Sequence, residues 1–213
     1  MIDAARFDRY LDDLIAGRKD ACEAQVSLLV EEGVPLRELY ELLFRDSLYE
    51  VGRRWEAGEL SVAVEHQATA ITEGILSELF PATTSRKALG RRAVVSATAG
   101  EFHQVGARIV ADSLELLGWD VHFVGAGASV DELLEVVTEG RPDLLALSVS
   151  LDSNLPTVVT TVQRVQARCP TVRVVVGGRA VREGHDAELR ALPGTTVLHS
   201  LTALEDLVRR YPW

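Results

Sequence analysis

His103 stands two residues after a carboxylate and three before a glycine, in the run Ala99-Gly100-Glu101-Phe102-His103-Gln104-Val105-Gly106. An imidazole can bind a metal through one ring nitrogen while a nearby carboxylate fixes the N–H of the other. Further along come Ser148-Val149-Ser150 and then Gly177-Gly178. Small hydroxyl and glycine positions leave space, and a glycine lets another group approach the backbone closely. A second set lies near the N-terminus, where Trp55 is followed after residues 56–64 by Glu65-His66, with Val62 between them. An indole offers a stacking face, and a carboxylate can hold hydroxyls by charge-assisted hydrogen bonds. His122, His185 and His199 have no ligand-type neighbours at metal-binding spacing and are expected to be ordinary side chains.

The elements around these residues fall into two textures. Through residue 80 apolar residues recur at helical spacing, as in Phe7, Leu11 and Leu14 and then Ala24, Val26, Leu29 and Val30. Four helices are predicted, at 3–16, 19–32, 36–57 and 60–80, with turns at Gly17, Gly33 and Gly58. Pro35 suits a helix start, where its missing N–H costs nothing, and Pro81 stops the fourth helix. Short connections imply an up-and-down bundle over 1–81. Residues 82–90 are small and polar, as a linker should be. From Arg91 the valine-rich runs AVVSAT, VHFVGA, LLALSVS and VRVVVGG each precede a helical stretch. That alternation predicts a doubly wound α/β domain over 91–213, a parallel sheet of flavodoxin or Rossmann type. Ligands of such sheets bind beyond the carboxyl ends of the strands. Thr98, Ser148–Ser150 and Gly177-Gly178 all fall on that edge.

Composition narrows the function. A net charge of -10 and the absence of any basic cluster speak against a nucleic-acid binder. Cys22 and Cys169 read as buried thiols in a reducing compartment. The acidic, amphipathic start lacks the form of a signal peptide, and no stretch approaches about 20 apolar residues, so a cytoplasmic location is expected. A phosphate- or nucleotide-binding domain would show a Gly-rich phosphate loop after the first strand, which this sequence lacks.

Glu-x-His-x-x-Gly, Ser-x-Ser and Gly-Gly in this order and spacing resemble the cobalamin-binding fingerprint of methionine synthase, corrinoid proteins and mutases. That fingerprint is usually written Asp-x-His-x-x-Gly, Ser-x-Leu, Gly-Gly, so Glu101 and Ser150 depart from it. The resemblance implies that His103 is the lower cobalt ligand and that Glu101 and Ser148 tune it. Phe102 and Gly106 would lie against the corrin, and Ser150, Gly177 and Gly178 would line a slot for the cofactor's displaced tail. Trp55, nine residues, Glu65-His66 resembles the adenosyl-capping motif of light-sensing cobalamin repressors. There the Trp covers the adenosyl group, the Glu contacts its ribose and the His lies nearby, with Val62 in the same stretch here. Glu56 stands where those repressors carry a second His.

Together the two resemblances imply a non-catalytic adenosylcobalamin light sensor whose helical bundle caps the upper face of the cofactor. Its output would be self-association as a homo-oligomer or contact with a protein signalling partner. The chain opens directly on the bundle and is acidic, so direct DNA contact is not expected. A related group, the photocobilins, adds a bilin as second chromophore. The alternative is a corrinoid protein carrying methyl groups for a methyltransferase. A mutase subunit would give no reason for the bundle.

Overall fold

In the computed structural model the described residues are 1–79, 88–182 and 186–210. The chain divides into two compact units, Met1–Thr83 and Thr84–Trp213. Phe80, Pro81, the first six residues of the expected linker and His185 lie outside the described residues.

The first unit is helical. Helix α1 (Ala4–Ile15) starts on Asp3, whose side chain accepts the Arg6 amide, and α2 is Lys19–Glu31. A single helical run then passes from α3 (Leu36–Glu38) through a π-helical segment (Leu39–Arg45) into α4 (Asp46–Glu56). Helix α5 is Val62–Leu79. Helix α1 packs on α2, α4 and α5, and α4 on α5. Tyr10, Leu14, Cys22, Leu39, Tyr40, Leu43, Phe44 and Leu76 are all buried at the centre. The π segment departs from the plain α-helix expected over 36–57. Its buried side chains, Leu39, Tyr40, Leu43 and Phe44, sit at offsets that α and π turns both place on one side, so the sequence pattern does not separate the two.

The second unit is a five-stranded parallel sheet in the order β2-β1-β3-β4-β5. The strands are β1 (Arg92–Ala97), β2 (Asp120–Gly125), β3 (Leu144–Ser148), β4 (Arg173–Gly177) and β5 (Thr195–Val197). The connections carry α6 (Val105–Leu116), α7 (Val130–Gly140), α8 (Leu155–Arg168), the short α9 (Arg179–Arg182) and α10 (Ala187–Arg190), with α11 (Leu201–Arg210) last. Central strand β3 is buried along its whole length, as a strand covered on both faces must be. One apolar cluster joins Leu145, Leu147, Val174 and Val176 of the sheet to Leu133 and Val137 of α7 and Val158, Val162 and Val165 of α8. Strand β5 has no signature in the sequence, because three residues after Pro193-Gly194 are too few to show a pattern. Leu89, in the last part of the expected linker, already bonds the Gly118 carbonyl at 2.9 Å.

The strand order reverses direction between β1 and β3, and such a switch point opens a crevice at the carboxyl edge. Register puts Ala97 beside Ser148 and Ser148 beside Gly177. Three small residues therefore form one row across the end of the sheet, where the β1–α6 loop emerges.

Candidate functional site

His103 sits on that loop, at the switch point. Glu101 is fully buried beneath it and accepts five hydrogen bonds. Oε1 takes the Nδ1–H of His103 and, at 3.3 Å, the His103 amide. Oε2 takes the amides of Ser150 at 3.0 Å and Leu151 at 3.2 Å, and Nδ2 of Asn154 at 3.2 Å. Burial pushes the carboxyl up, but the bonds from His103 and the Ser150 amide outweigh it and hold the group at about 2. Glu101 is thus ionised and only accepts, so the proton on the His103–Glu101 bond belongs to Nδ1. Nε2, on the far side of the ring from Glu101, is the nitrogen a metal would take. The His103 side chain is 38% exposed, so the ring reaches the surface of the unit.

The carboxylate does reach His103 despite its extra methylene relative to aspartate. Ser148 is not among its partners and lies instead against α6, where a Cβ on Gly106 would come 2.9 Å from Ser148 Oγ. Ser150 joins the site through its backbone N–H, so serine in place of leucine leaves that contact intact. Asn154 and the Leu151 amide were not anticipated; an amide has no signature in sequence, and Asn154 lies outside every motif. Phe102 is 81% exposed beside His103. At Gly178 the φ of +121° and a Cβ that would enter the Val149 backbone make glycine obligatory. The group that approaches Gly178 closely is thus Val149 itself. Gly177 is less confined: a Cβ there would lie 3.3 Å from the Leu198 carbonyl oxygen.

In the helical unit Trp55 is the next-to-last residue of α4 and is 37% exposed. Gly58, at φ +73°, closes the helix: its N–H bonds the Trp55 carbonyl at 2.9 Å and the Glu59 N–H bonds that of Arg54 at 2.8 Å. Arg53 and Arg54 both grip Glu50, at 2.8 and 2.7 Å, holding its carboxyl at about 2. Val62, Glu65 and His66 occupy offsets of three and four on α5 and so share a face. Val62 is 50% exposed, and Glu65 accepts from Thr69 Oγ1 at 3.2 Å. His66 Nε2 lies 3.5 Å from Glu65 Oε2. Trp55 thus sits at the end of α4, while Val62 and His66 are exposed in the first turns of α5 and Glu65 is largely buried between them.

Among the described residues no group of three or more His, Cys, Asp and Glu side chains gathers as a metal cage. No helix there is long and apolar enough to cross a membrane. A single ordered imidazole suffices only for a metal that brings its other ligands with it, as cobalt does in a corrin.

Comparison with known proteins agrees. A family model described as "B12 binding domain" matches residues 91–207, and a second with the same description matches 6–79. The chain belongs to the B12-binding domain family, and cobalamin is the cofactor that membership gives it. A dimethylamine corrinoid protein of Methanosarcina barkeri is 29% identical, with 78% of this chain and 80% of that protein covered. The HTH-type transcriptional repressor CarH of Myxococcus xanthus is 26% identical over 82% of this chain and 59% of its own length. In fold, the chain is similar to the monomethylamine corrinoid protein of Methanosarcina barkeri. The TM-score is 0.82 at 16% identity, covering 99% of this chain and 100% of that one. The residues present fit the cofactor: Glu101 holds His103 through Nδ1, which leaves Nε2 as the nitrogen for cobalt, and the row Ala97, Ser148 and Gly177 leaves the strand ends without bulk.

Proposed function

We propose that this chain is a non-catalytic, cytoplasmic adenosylcobalamin sensor of light. The single observation that supports this reading is the exposure of Trp55 at the end of α4 and of Val62 and His66 at the start of α5, with Glu65 on the same face of α5. In this reading residues 91–213 hold the cofactor, with His103 as cobalt ligand and Gly106, Ser148, Ser150, Gly177 and Gly178 at its lower face. Residues 1–81 cap its upper face, and 82–90 link the two. Trp55 stacks on the adenosyl group, and Glu65 accepts from its ribose hydroxyls. Adenosylcobalamin supplies a cobalt–carbon bond that green light breaks. With the adenosyl group gone, Trp55, Glu65 and His66 lose their partner together, and the bundle is released to change self-association or to meet a protein partner. A ligand shifts such an equilibrium only by its different affinity for the two states, and here that difference is a whole nucleoside.

A second reading has its own support. The corrinoid proteins are matched over about four-fifths of their length and CarH over 59%. In that reading the chain carries methyl groups for a methyltransferase, and a bulky Trp55 over the upper face is a burden. One experiment separates the two. The purified protein is loaded with adenosyl- or methylcobalamin, and its absorbance, mass and hydrodynamic radius are measured in darkness and after green light. The sensor reading expects preference for the adenosyl form and a change of mass or radius on photolysis. Preference for methylcobalamin, with size unchanged after confirmed photolysis, establishes the carrier reading instead.

A further inference from the structure

The π-helical segment Leu39–Arg45 interrupts an otherwise α-helical run that ends at Trp55 and Glu56. A π-helix closes i→i+5 hydrogen bonds at about 4.4 residues per turn, so each residue turns about 18° less than in an α-helix. Seven such residues turn about 570°, close to the turn of about six α residues. The segment therefore carries one residue more than an α-helix of equal turn. Its core side is well packed: Phe44 meets Tyr10 of α1 and Tyr40 at ring-centroid distances of 6.1 and 6.3 Å. Leu39, Tyr40, Leu43, Phe44, Ser47 and Val51 are the buried side chains of the run. Counted round the axis, they fall within an arc of about 130° with the π segment and about 140° in an unbroken α-helix. The core accepts either winding. Trp55 tells the two apart: it lies within about 20° of the middle of that arc with the π segment, and about 90° from it in an unbroken α-helix. Leu42, on the outer side of the segment, is 42% exposed and leaves the core free of the spare residue.

Resting on the proposed capping role of Trp55, we infer that residues 39–45 are a switch between π and α winding that aims the indole. In the π form Trp55 continues the core-facing side of the helix beyond Val51, the last buried residue, and is 37% exposed there. In the α form α4 turns about 125° against α3, and the indole leaves that face. An adenosyl group stacked on Trp55 binds the π form and so holds it; its loss frees the segment to rewind. A π turn is rare in helices and concentrates at functional sites, as a switch of this kind requires.

The test uses the full chain and two readouts. Amide hydrogen exchange of residues 39–46 is measured without cofactor, with adenosylcobalamin in darkness, and after green light. Bound adenosylcobalamin is expected to slow exchange there about tenfold or more, and light to restore it, while the middle of α5 changes by less than about twofold. Deletion of Leu42 then removes the spare residue and locks the run as α-helix with α4 in its present phase. Circular dichroism checks that the variant is folded. It is expected to keep the wild-type preference for adenosyl- over methylcobalamin and to lose the change of mass or radius on photolysis. Leu42→Ala keeps the length of the segment and should respond as wild type does, which separates the spare residue from its side chain. A folded deletion variant that responds to light as wild type does, or that loses the adenosyl preference, overturns the inference and leaves the sensor reading standing. So does wild-type exchange at 39–46 that ignores cofactor and light, a result that decides even where the deletion variant does not fold. A wild type that neither prefers the adenosyl form nor changes size after confirmed photolysis removes both.

Discussion

Replacing Glu101 by glutamine changes one oxygen into an NH2 and leaves the shape almost untouched, which makes it the sharpest probe of His103. The carboxylate accepts from five donors: His103 Nδ1 and N on Oε1, and Ser150 N, Leu151 N and Asn154 Nδ2 on Oε2. A glutamine amide has one acceptor oxygen and must turn its nitrogen toward one of these groups. Placed at Oε2 the nitrogen confronts three N–H groups; placed at Oε1 it meets only His103. The second arrangement wins, and it costs least when His103 moves its proton to Nε2 and accepts through Nδ1. Stability should fall by about 2 kcal/mol, the range for a lost bond to a charged group. A protonated Nε2 cannot bind cobalt, so cobalamin affinity should fall about 10- to 100-fold, as for other outer partners of metal-bound histidine. The assay is electron paramagnetic resonance of cob(II)alamin bound to 15N-labelled protein. A protein imidazole splits the cobalt lines into doublets, whereas the cofactor's own 14N base gives triplets. Wild type should show doublets and Glu101→Gln should lose them. Doublets of equal strength in the variant, with unchanged affinity, would refute the argument from tautomers.

Three further outcomes are expected. His103→Ala keeps the fold, since the ring is partly exposed, yet loses the 15N doublets; retained doublets would name another nitrogen as ligand. Gly178→Ala, forced into the Val149 backbone at φ +121°, destabilises the second unit by about 3 kcal/mol or more in urea unfolding, whether or not cobalamin is present. Trp55→Ala, an exposed residue of the helical unit, leaves cobalamin uptake intact and loosens discrimination between the adenosyl and methyl forms; equal discrimination in both proteins would remove its capping role.

The placement of the candidate residues on one sheet edge was largely legible in the sequence because they are side chains and glycines tied to strand ends. Ala97, Ser148 and Gly177 come into one row because the parallel register aligns the ends of β1, β3 and β4. The helical run was legible as helix, though not its π turn, since buried apolar offsets fit both geometries. Strand β5 was too short to see. The lock on Glu101 was invisible for a different reason: two of its donors are backbone amides, and the third, Asn154, stands outside every motif. Gly-Gly was readable as a close approach, but what approaches Gly178 is the backbone of Val149, a contact fixed only when β3 and β4 are paired.

The pairing of residue types decides less than the direction of the hydrogen bonds. His103 and His199 both lie on the ligand edge, and each has a buried carboxylate behind it. At His103 the carboxylate acts directly on Nδ1, so the proton stays there and Nε2 is the nitrogen a metal would take. At His199 the Asp186 carboxylate lies 3.6 Å from Nε2, and Arg190, an obligate donor bound to the same Oδ2, reaches Nε2 at 2.7 Å. One imidazole therefore meets a carboxylate through Nδ1 and the other meets a guanidinium through Nε2. Exchanging Arg190 for an acceptor such as glutamate would place a donor, not an acceptor, at Nε2 of His199. The chain uses the same side chain twice along one sheet edge, and the partner behind each ring sets which chemistry it can perform.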